Sequence, residues 1–119
     1  WWWQSVLGGV GGGDGSVESL MAMKGTADRL IGPAAYSFSV LAAGRHQMRL
    51  GTVGAILGGN VRVGLEDSLT DGAGRDLAKS NAHQVRRIRT ILEQMGMSIA
   101  TPDEARERLA LKGGDRVAF

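Results

Sequence analysis

Three apolar runs start at Trp1, Tyr36 and Val61, about 25 to 35 residues apart, with an amphipathic stretch after each. That recurrence constrains the chain more than anything else in it. Runs of this length read as β-strands and the stretches between them as crossover helices, the repeat of βα units in an α/β fold. Trp1 to Leu7 is dense in apolar residues and stops at Gly8-Gly9 and Gly11 to Gly13, so it reads as a buried strand followed by a mobile loop. Tyr36 to Ala43 carries aromatic and β-branched residues and no charge, and Gly44 closes it. Val61 to Leu65 is the third strand.

The helices are marked by their ends. Ser16 is a fair N-cap for a helix with Val17, Leu20, Met21, Ala27, Leu30 and Ile31 at helical spacing, ended by Gly32-Pro33. Met48 to Leu57 is a short helix stopped by Gly58-Gly59. Thr70 to Lys79 reads as a polar loop. Asn81 with Gln84 three residues later resembles a capping box, and Val85, Ile88, Leu92 and Met95, widened by Ile91, form the stripe of the helix it would open. Thr101-Pro102-Asp103-Glu104 is a second box with proline at the first helical position, and Ala105, Leu109 and Leu111 give that helix an apolar edge. The tail from Lys112 to Phe119 reads as loosely held.

Strands this apolar need cover on both faces, as in parallel sheets. Three strands cannot close a barrel, which takes about 250 residues for eight. Residues 1–119 therefore read as the C-terminal part of a single domain, the last three βα units of a TIM (β/α)8 barrel plus closing helices, with the upstream half outside this chain. The opening Trp1-Trp2-Trp3, in place of a methionine, fits that expectation. In such a barrel the active site lies at the C-terminal ends of the strands. Arg45-His46-Gln47, Glu66-Asp67 and the Gly8-Gly9 loop all fall there.

The run Arg62-Val63-Gly64-Leu65-Glu66-Asp67 carries the chemistry. On a strand, Arg62, Gly64 and Glu66 point to one face and Val61, Val63 and Leu65 to the other. A charge is costly to bury unless it is paired or binds a metal. A strand with that polar face is therefore one side of a polar pocket or an exposed edge. Two carboxylates and an arginine at a strand end suit metal binding and proton abstraction. Read from the residues alone, Glu66-Asp67 also fits a solvated loop or a helix cap. Arg45 fits a contact to a phosphate or carboxylate equally with a structural salt bridge. His46 reads as a hydrogen-bonded structural or substrate-facing residue rather than a metal ligand, and His83 as surface.

Composition narrows the classes. With 14 basic and 12 acidic residues the net charge is only +2, which argues against a dedicated nucleic-acid binder. Arg86-Arg87-Ile88-Arg89 reads as a solvated helix face. There is no cysteine, hence no disulfide or thiolate site, in keeping with a cytoplasmic setting. No stretch approaches the ~20 apolar residues of a membrane span. The Gly8 to Gly15 stretch has neither the ending nor the spacing of a phosphate loop.

The run Gly58-Gly59-Asn60-Val61-Arg62-Val63-Gly64-Leu65-Glu66-Asp67 resembles the C-terminal signature of the β-keto acid cleavage enzymes, the family of 3-keto-5-aminohexanoate cleavage enzyme. Ser5-Val6-Leu7-Gly8, Gly44-Arg45-His46-Gln47, Ser80-Asn81-Ala82 and Ala100-Thr101-Pro102-Asp103-Glu104-Ala105-Arg106 extend the resemblance over nearly the whole chain. The resemblance implies a zinc-containing (β/α)8 barrel that condenses a β-keto acid with acetyl-CoA and cleaves the product to acetoacetate and a new acyl-CoA. It implies a homotetramer. Glu66 matches the family's carboxylate ligand of Zn²⁺, Asp67 its general base, and Arg62 the arginine that orients that base. Arg45 and His46 are candidates to meet substrate or CoA. The family's remaining ligands, a His-x-His pair, are absent here and expected upstream, so this segment alone is expected to be inactive. Two alternatives remain at this point: a non-catalytic partial barrel that assembles with other chains, and a zinc aldolase-like lyase that works without CoA.

Overall fold

The computed structural model of the chain describes residues 1–71 and 76–117. Three parallel strands, β1 (Trp2–Leu7), β2 (Ser37–Ala42) and β3 (Asn60–Val61), lie side by side in sequence order. Helix α1 (Val17–Ile31) joins the first pair, and α2 (Gln47–Ile56), entered through a single 3₁₀ turn at Gly44–His46, joins the second. A short antiparallel pair follows, β4 (Thr70–Asp71) with β5 (Asp76–Leu77), then α3 (Asn81–Gln94) and α4 (Pro102–Arg108). The chain is thus α/β, with the parallel βα repeat that the spacing of the apolar runs predicts.

Register decides which residues share a face. Ser5 pairs with Val40 and Val40 with Val61, so Trp3, Ser5, Leu7, Phe38, Val40, Ala42 and Val61 line one face. Both crossover helices lie against it. Ser5 Oγ donates to Met23 Sδ of α1 at 3.6 Å, and α2 presses on Val40 and Val61 through its glycines. Leu7, Leu20, Phe38, Val40, Ala42 and Leu50 form the core there, and the Trp3 ring stacks on Phe38 with centroids 5.3 Å apart. The opposite face carries Trp2, Gln4, Ser39 and Arg62, with Gln4 Nε2 donating to Ser39 Oγ at 2.9 Å.

The contact of α2 with the sheet depends on two absent side chains. A Cβ at Gly54 would fall inside the Val40 side chain, and one at Gly51 would sit 2.7 Å from Val61 Cγ1. Glycine inside a helix costs about 1 kcal/mol relative to alanine, and close packing offsets it. Gly54→Ala is expected to lower stability by about 1–3 kcal/mol despite its better helix propensity, read as a fall in the urea or thermal midpoint.

Several elements differ from the sequence reading. The first strand is not buried throughout: Trp1 is 90 % exposed and Trp2 is also exposed, because β1 is an edge strand and nothing pairs with its outer side among the described residues. Most of the apolar stripe of α1 is open as well. Only Leu20 is buried; Met21 is exposed, and Leu30 and Ile31 are exposed along a groove of about 740 Å³ between the helix and the β1 edge. The glycine-rich stretch after β1 is held rather than free-running: Gly8 N–H donates to Gly13 O and Gly13 N–H to Val6 O, both at 2.8 Å.

The third strand is shorter than the run Val61 to Leu65. Its ladder ends when Arg62 N–H donates to Val40 O, and Gly64 O then accepts from the N–H groups of Asp67 and Ser68, which turns the chain. The polar stretch from Thr70 to Lys79 contains the β4–β5 pair, although Gly72 to Arg75 lie outside the described residues. Ser80, not Asn81, caps α3, its Oγ accepting from His83 N–H at 3.1 Å. The buried residues of that helix are Gln84, Ile88 and Leu92, each four apart, while Val85 and Met95 are exposed. The second capping box is present as read: Thr101 Oγ1 accepts from Glu104 N–H and Glu104 Oε2 from Thr101 N–H. Helix α4 ends at Arg108, so Leu109 and Leu111 lie beyond it and are exposed. In the tail, Gly114–Arg116 form a 3₁₀ turn, and Ala118 and Phe119 lie outside the described residues.

Near the start of β2, Tyr36 Oη donates to Asp28 Oδ1 at 2.5 Å and Lys24 Nζ donates to both Asp28 oxygens. The Tyr36 bond, then the Lys24 bond, holds the Asp28 carboxyl below the usual carboxylate range. A depressed carboxyl pKa stabilises the fold above its unfolded value, and that contribution is lost as pH falls through the depressed one. Tyr36→Phe should therefore raise the Asp28 titration midpoint toward its ordinary value and make the acid arm of the stability profile shallower. Carboxyl NMR titration and acid denaturation read both.

Candidate active site

The turn after β3 gathers three of the residues singled out in the sequence. Arg62 is the last residue bonded to β2, so its side chain starts from a fixed point on the open sheet face. Its Nε donates to Asp67 Oδ2 at 3.1 Å and its Nη2 to Asp67 Oδ1 at 3.2 Å, a bidentate fork onto both carboxylate oxygens. The same Nη2 donates to Glu66 Oε2 at 2.8 Å. The two acids sit in different surroundings. The Asp67 side chain is only 8 % exposed, whereas Glu66 is 84 % exposed and Arg62 39 %. Glu66 is thus carried by the turn, not by a strand face, and it leans into solvent.

Arg45 and His46 occupy the neighbouring turn, after β2. Gly44 N–H donates to Asp67 O at 2.9 Å and ties the two turns together. Arg45 Nε donates to His46 Nε2 at 3.3 Å. The His46 ring lies against the glycine stretch: a Cβ at Gly15 would be 3.0 Å from three ring atoms and one at Gly8 would be 3.2 Å from Cδ2. All three loops after the strands therefore meet at one end of the sheet, as expected. His83 does not join them; its Nε2 lies 2.8 Å from Asp71 Oδ2, and Arg87 pairs with the other oxygen of Asp71.

Among the described residues no three His, Cys, Asp or Glu side chains converge to hold a metal. The donor chemistry fits a single ligand. Arg62 donates to both Asp67 oxygens and to Glu66 Oε2, and of the two carboxylates Glu66 is the one open to solvent. One carboxylate does not make a zinc site, which takes about three protein groups plus an open position.

The sequence reading puts Gln47 at this end of the sheet and Asn81 and Gln84 in a capping box, without the bonds by which they hold this turn. Gln47 Nε2 donates to Gly64 O at 2.9 Å, Asn81 Oδ1 accepts from Leu65 N–H at 2.7 Å, and Gln84 Nε2 donates to Ser68 O at 2.8 Å. Gln84 was the detectable one. It falls four residues before Ile88, on the buried stripe of α3, and a buried amide needs a partner. Gly64 also finds its reason here: a Cβ there would be 3.1 Å from Asn81 Oδ1.

The chain matches the family model described as beta-keto acid cleavage enzyme over residues 1–111, and it belongs to that family of enzymes. Among characterised relatives, it is 50 % identical over 116 residues to the 3,5-dioxohexanoate:acetyl-CoA acetone transferase of Paraburkholderia graminis, covering 98 % of this chain and 37 % of that protein. It is 42 % identical over 80 residues to the 3-keto-5-aminohexanoate cleavage enzyme of Fusobacterium nucleatum, covering 67 % and 29 %. It is 39 % identical over 79 residues to the 3-dehydrocarnitine:acetyl-CoA trimethylamine transferase of Rhizobium meliloti, covering 66 % and 26 %. The chain thus spans between 26 % and 37 % of the length of these curated relatives. Among the described residues no helix is long and apolar enough to cross a membrane.

Arg62→Ala would leave the largely buried Asp67 carboxylate without its two charged donors. The expected loss is about 1–3 kcal/mol of stability, measured by denaturant unfolding at neutral pH, with Arg62→Lys recovering only part of it because an ammonium cannot form the fork.

Proposed function

We propose that this chain is the C-terminal segment of a zinc-dependent (β/α)8 enzyme. It would condense a β-keto acid with acetyl-CoA and release acetoacetate and a new acyl-CoA. The observation that carries this is the Arg62–Asp67–Glu66 cluster on the turn after β3, in a chain of the beta-keto acid cleavage family. The barrel reading is supported by the winding: parallel strands in sequence order with both crossover helices on one face. A sheet continued in that sense curls toward closure, with its uncovered face as the interior. The CoA part is supported by relatives whose names include acetyl-CoA.

Asp67 is the base in this reading. Each carboxylate oxygen has a second lone pair, so accepting from Arg62 leaves one on each to take a proton from the carbon next to the substrate carbonyl. Arg62 fixes both oxygens at once, so the carboxylate cannot rotate away from the substrate. Glu66 supplies one ligand to a zinc ion whose other protein ligands lie outside this chain. Bound there, zinc would serve as the Lewis acid that stabilises negative charge developing on the carbonyl. Arg45 and His46, on the adjoining turn, would meet an anionic group of substrate or CoA.

In the full-length enzyme, Asp67→Asn is expected to leave zinc content intact and cut condensation at least about a hundredfold. Glu66→Ala should lower zinc content and activity together. Zinc analysis alongside an acetyl-CoA-dependent condensation assay reads both; full activity in either variant sinks the assignment, and turnover without acetyl-CoA would favour an aldolase-like lyase.

A further inference from the structure

The turn that carries Glu66 and Asp67 is held by side-chain amides arriving from two different helices. We propose that Gln47, Asn81 and Gln84 form a clamp of positioning residues that sets the Asp67 carboxylate for its task. This rests on reading Asp67 as the base.

Gln47 is the first residue of α2 and is buried; its Nε2 bonds Gly64 O at the entry of the turn. Asn81 is the first residue of α3, and its Oδ1 takes the Leu65 N–H one residue on. Gln84 lies one turn further along α3, and its Nε2 bonds Ser68 O at the exit. With the Gly44 N–H on Asp67 O, the main chain is gripped at Gly64, Leu65, Asp67 and Ser68. A mobile turn would leave Arg62 as the sole guide of the Asp67 side chain. A gripped one fixes where Asp67 begins.

The residue type is as informative as the geometry. Apolar side chains would fill the positions of Gln47 and Gln84 at lower desolvation cost. Gln84 is 1 % exposed, and its Oε1 is buried without a partner among the described residues. The fold therefore tolerates an unpaired buried oxygen to keep one bond to Ser68 O. Amides bond directionally without adding charge. A carboxylate at position 84 would have no N–H for Ser68 O and would place a third negative group near Asp67 and Glu66, while a lysine or arginine would compete with Arg62 for them. Gly64 completes the fit, since any Cβ there would crowd Asn81 Oδ1 at 3.1 Å.

Asn81 is exposed and at a helix start, so its removal leaves the core untouched. The test uses the intact protein that carries this chain. Hydrogen exchange read by mass spectrometry on a peptide covering residues 63–69 is compared in wild type, Asn81→Ala, Asn81→Asp and Gly64→Ala, with a β2 peptide as control. Asn81→Ala should speed exchange of the turn about tenfold, leaving β2 unchanged. It should lower kcat about tenfold to a hundredfold with KM within about twofold, the mark of misplacement rather than lost binding. Asn81→Asp keeps the acceptor oxygen and should restore slow exchange of the turn, while its added charge beside Glu66 and Asp67 keeps kcat below wild type; Gly64→Ala should act in the same direction as Asn81→Ala and less strongly. Unchanged exchange in Asn81→Ala overturns the clamp, as does faster exchange with unaltered kcat. Full turnover in Asp67→Asn would instead overturn the reading of Asp67 as the base, and the clamp's catalytic purpose with it. Loss of turnover in Asp67→Asn with an indifferent Asn81→Ala overturns the clamp alone.

Discussion

The close approach of α2 to the sheet underlies most of what this chain does. It rests on Gly54 over Val40 and Gly51 over Val61. With those side chains missing, the helix axis drops onto β2 and β3 by roughly the depth of a methyl group. That position brings the start of α2 level with the turn after β3, where Gln47 reaches Gly64 O and Gly44 reaches Asp67 O. Helix α3 then packs beside α2 and delivers Asn81 and Gln84 from the other side. The packing of two glycines and the placing of a carboxylate are parts of one arrangement.

The cluster itself divides its labour by environment. Arg62 is anchored by the final ladder bond to β2 and forks onto Asp67, which is nearly buried, while touching Glu66, which is almost fully exposed. A sheltered carboxylate with both oxygens oriented suits a task that needs direction. The open groove between β1 and α1 is lined by Trp1 and Trp2, and the outer edge of β1 is unpaired among the described residues. Bare strand edges invite pairing.

Much of this was legible in the residues. The three strands, the crossover helices and the Thr101 box follow from periodicity and end signals. The Arg62, Glu66 and Asp67 group was found because charges at a strand end demand partners. The errors share one cause. Alternation continues past Val61 and places Leu65 and Glu66 on a strand, but the chain leaves β2 after Arg62 and turns where Gly64 O accepts from the N–H groups of Asp67 and Ser68. Asn81 was read as a cap because Ser80 and Asn81 are equally good capping types, and only the neighbouring turn decided that Asn81 would serve Leu65. Val85 and Met95 fall on the stripe but are exposed, because helical periodicity gives a stripe without saying which edge of it is covered.

The sequence by itself determined the order of elements, the parallel winding and the identity of the charged groups, since these depend on local propensity, spacing and the cost of burying charge. Only the tertiary structure decided which carboxylate is sheltered and which is exposed. It also decided that three amides hold the turn between them and that α2 rides low on Val40. Those features arise from contacts between residues 14 to 17 positions apart, as between Gly54 and Val40, Leu65 and Asn81, or Gln47 and Gly64. Local preference carries no information about such distances; packing does.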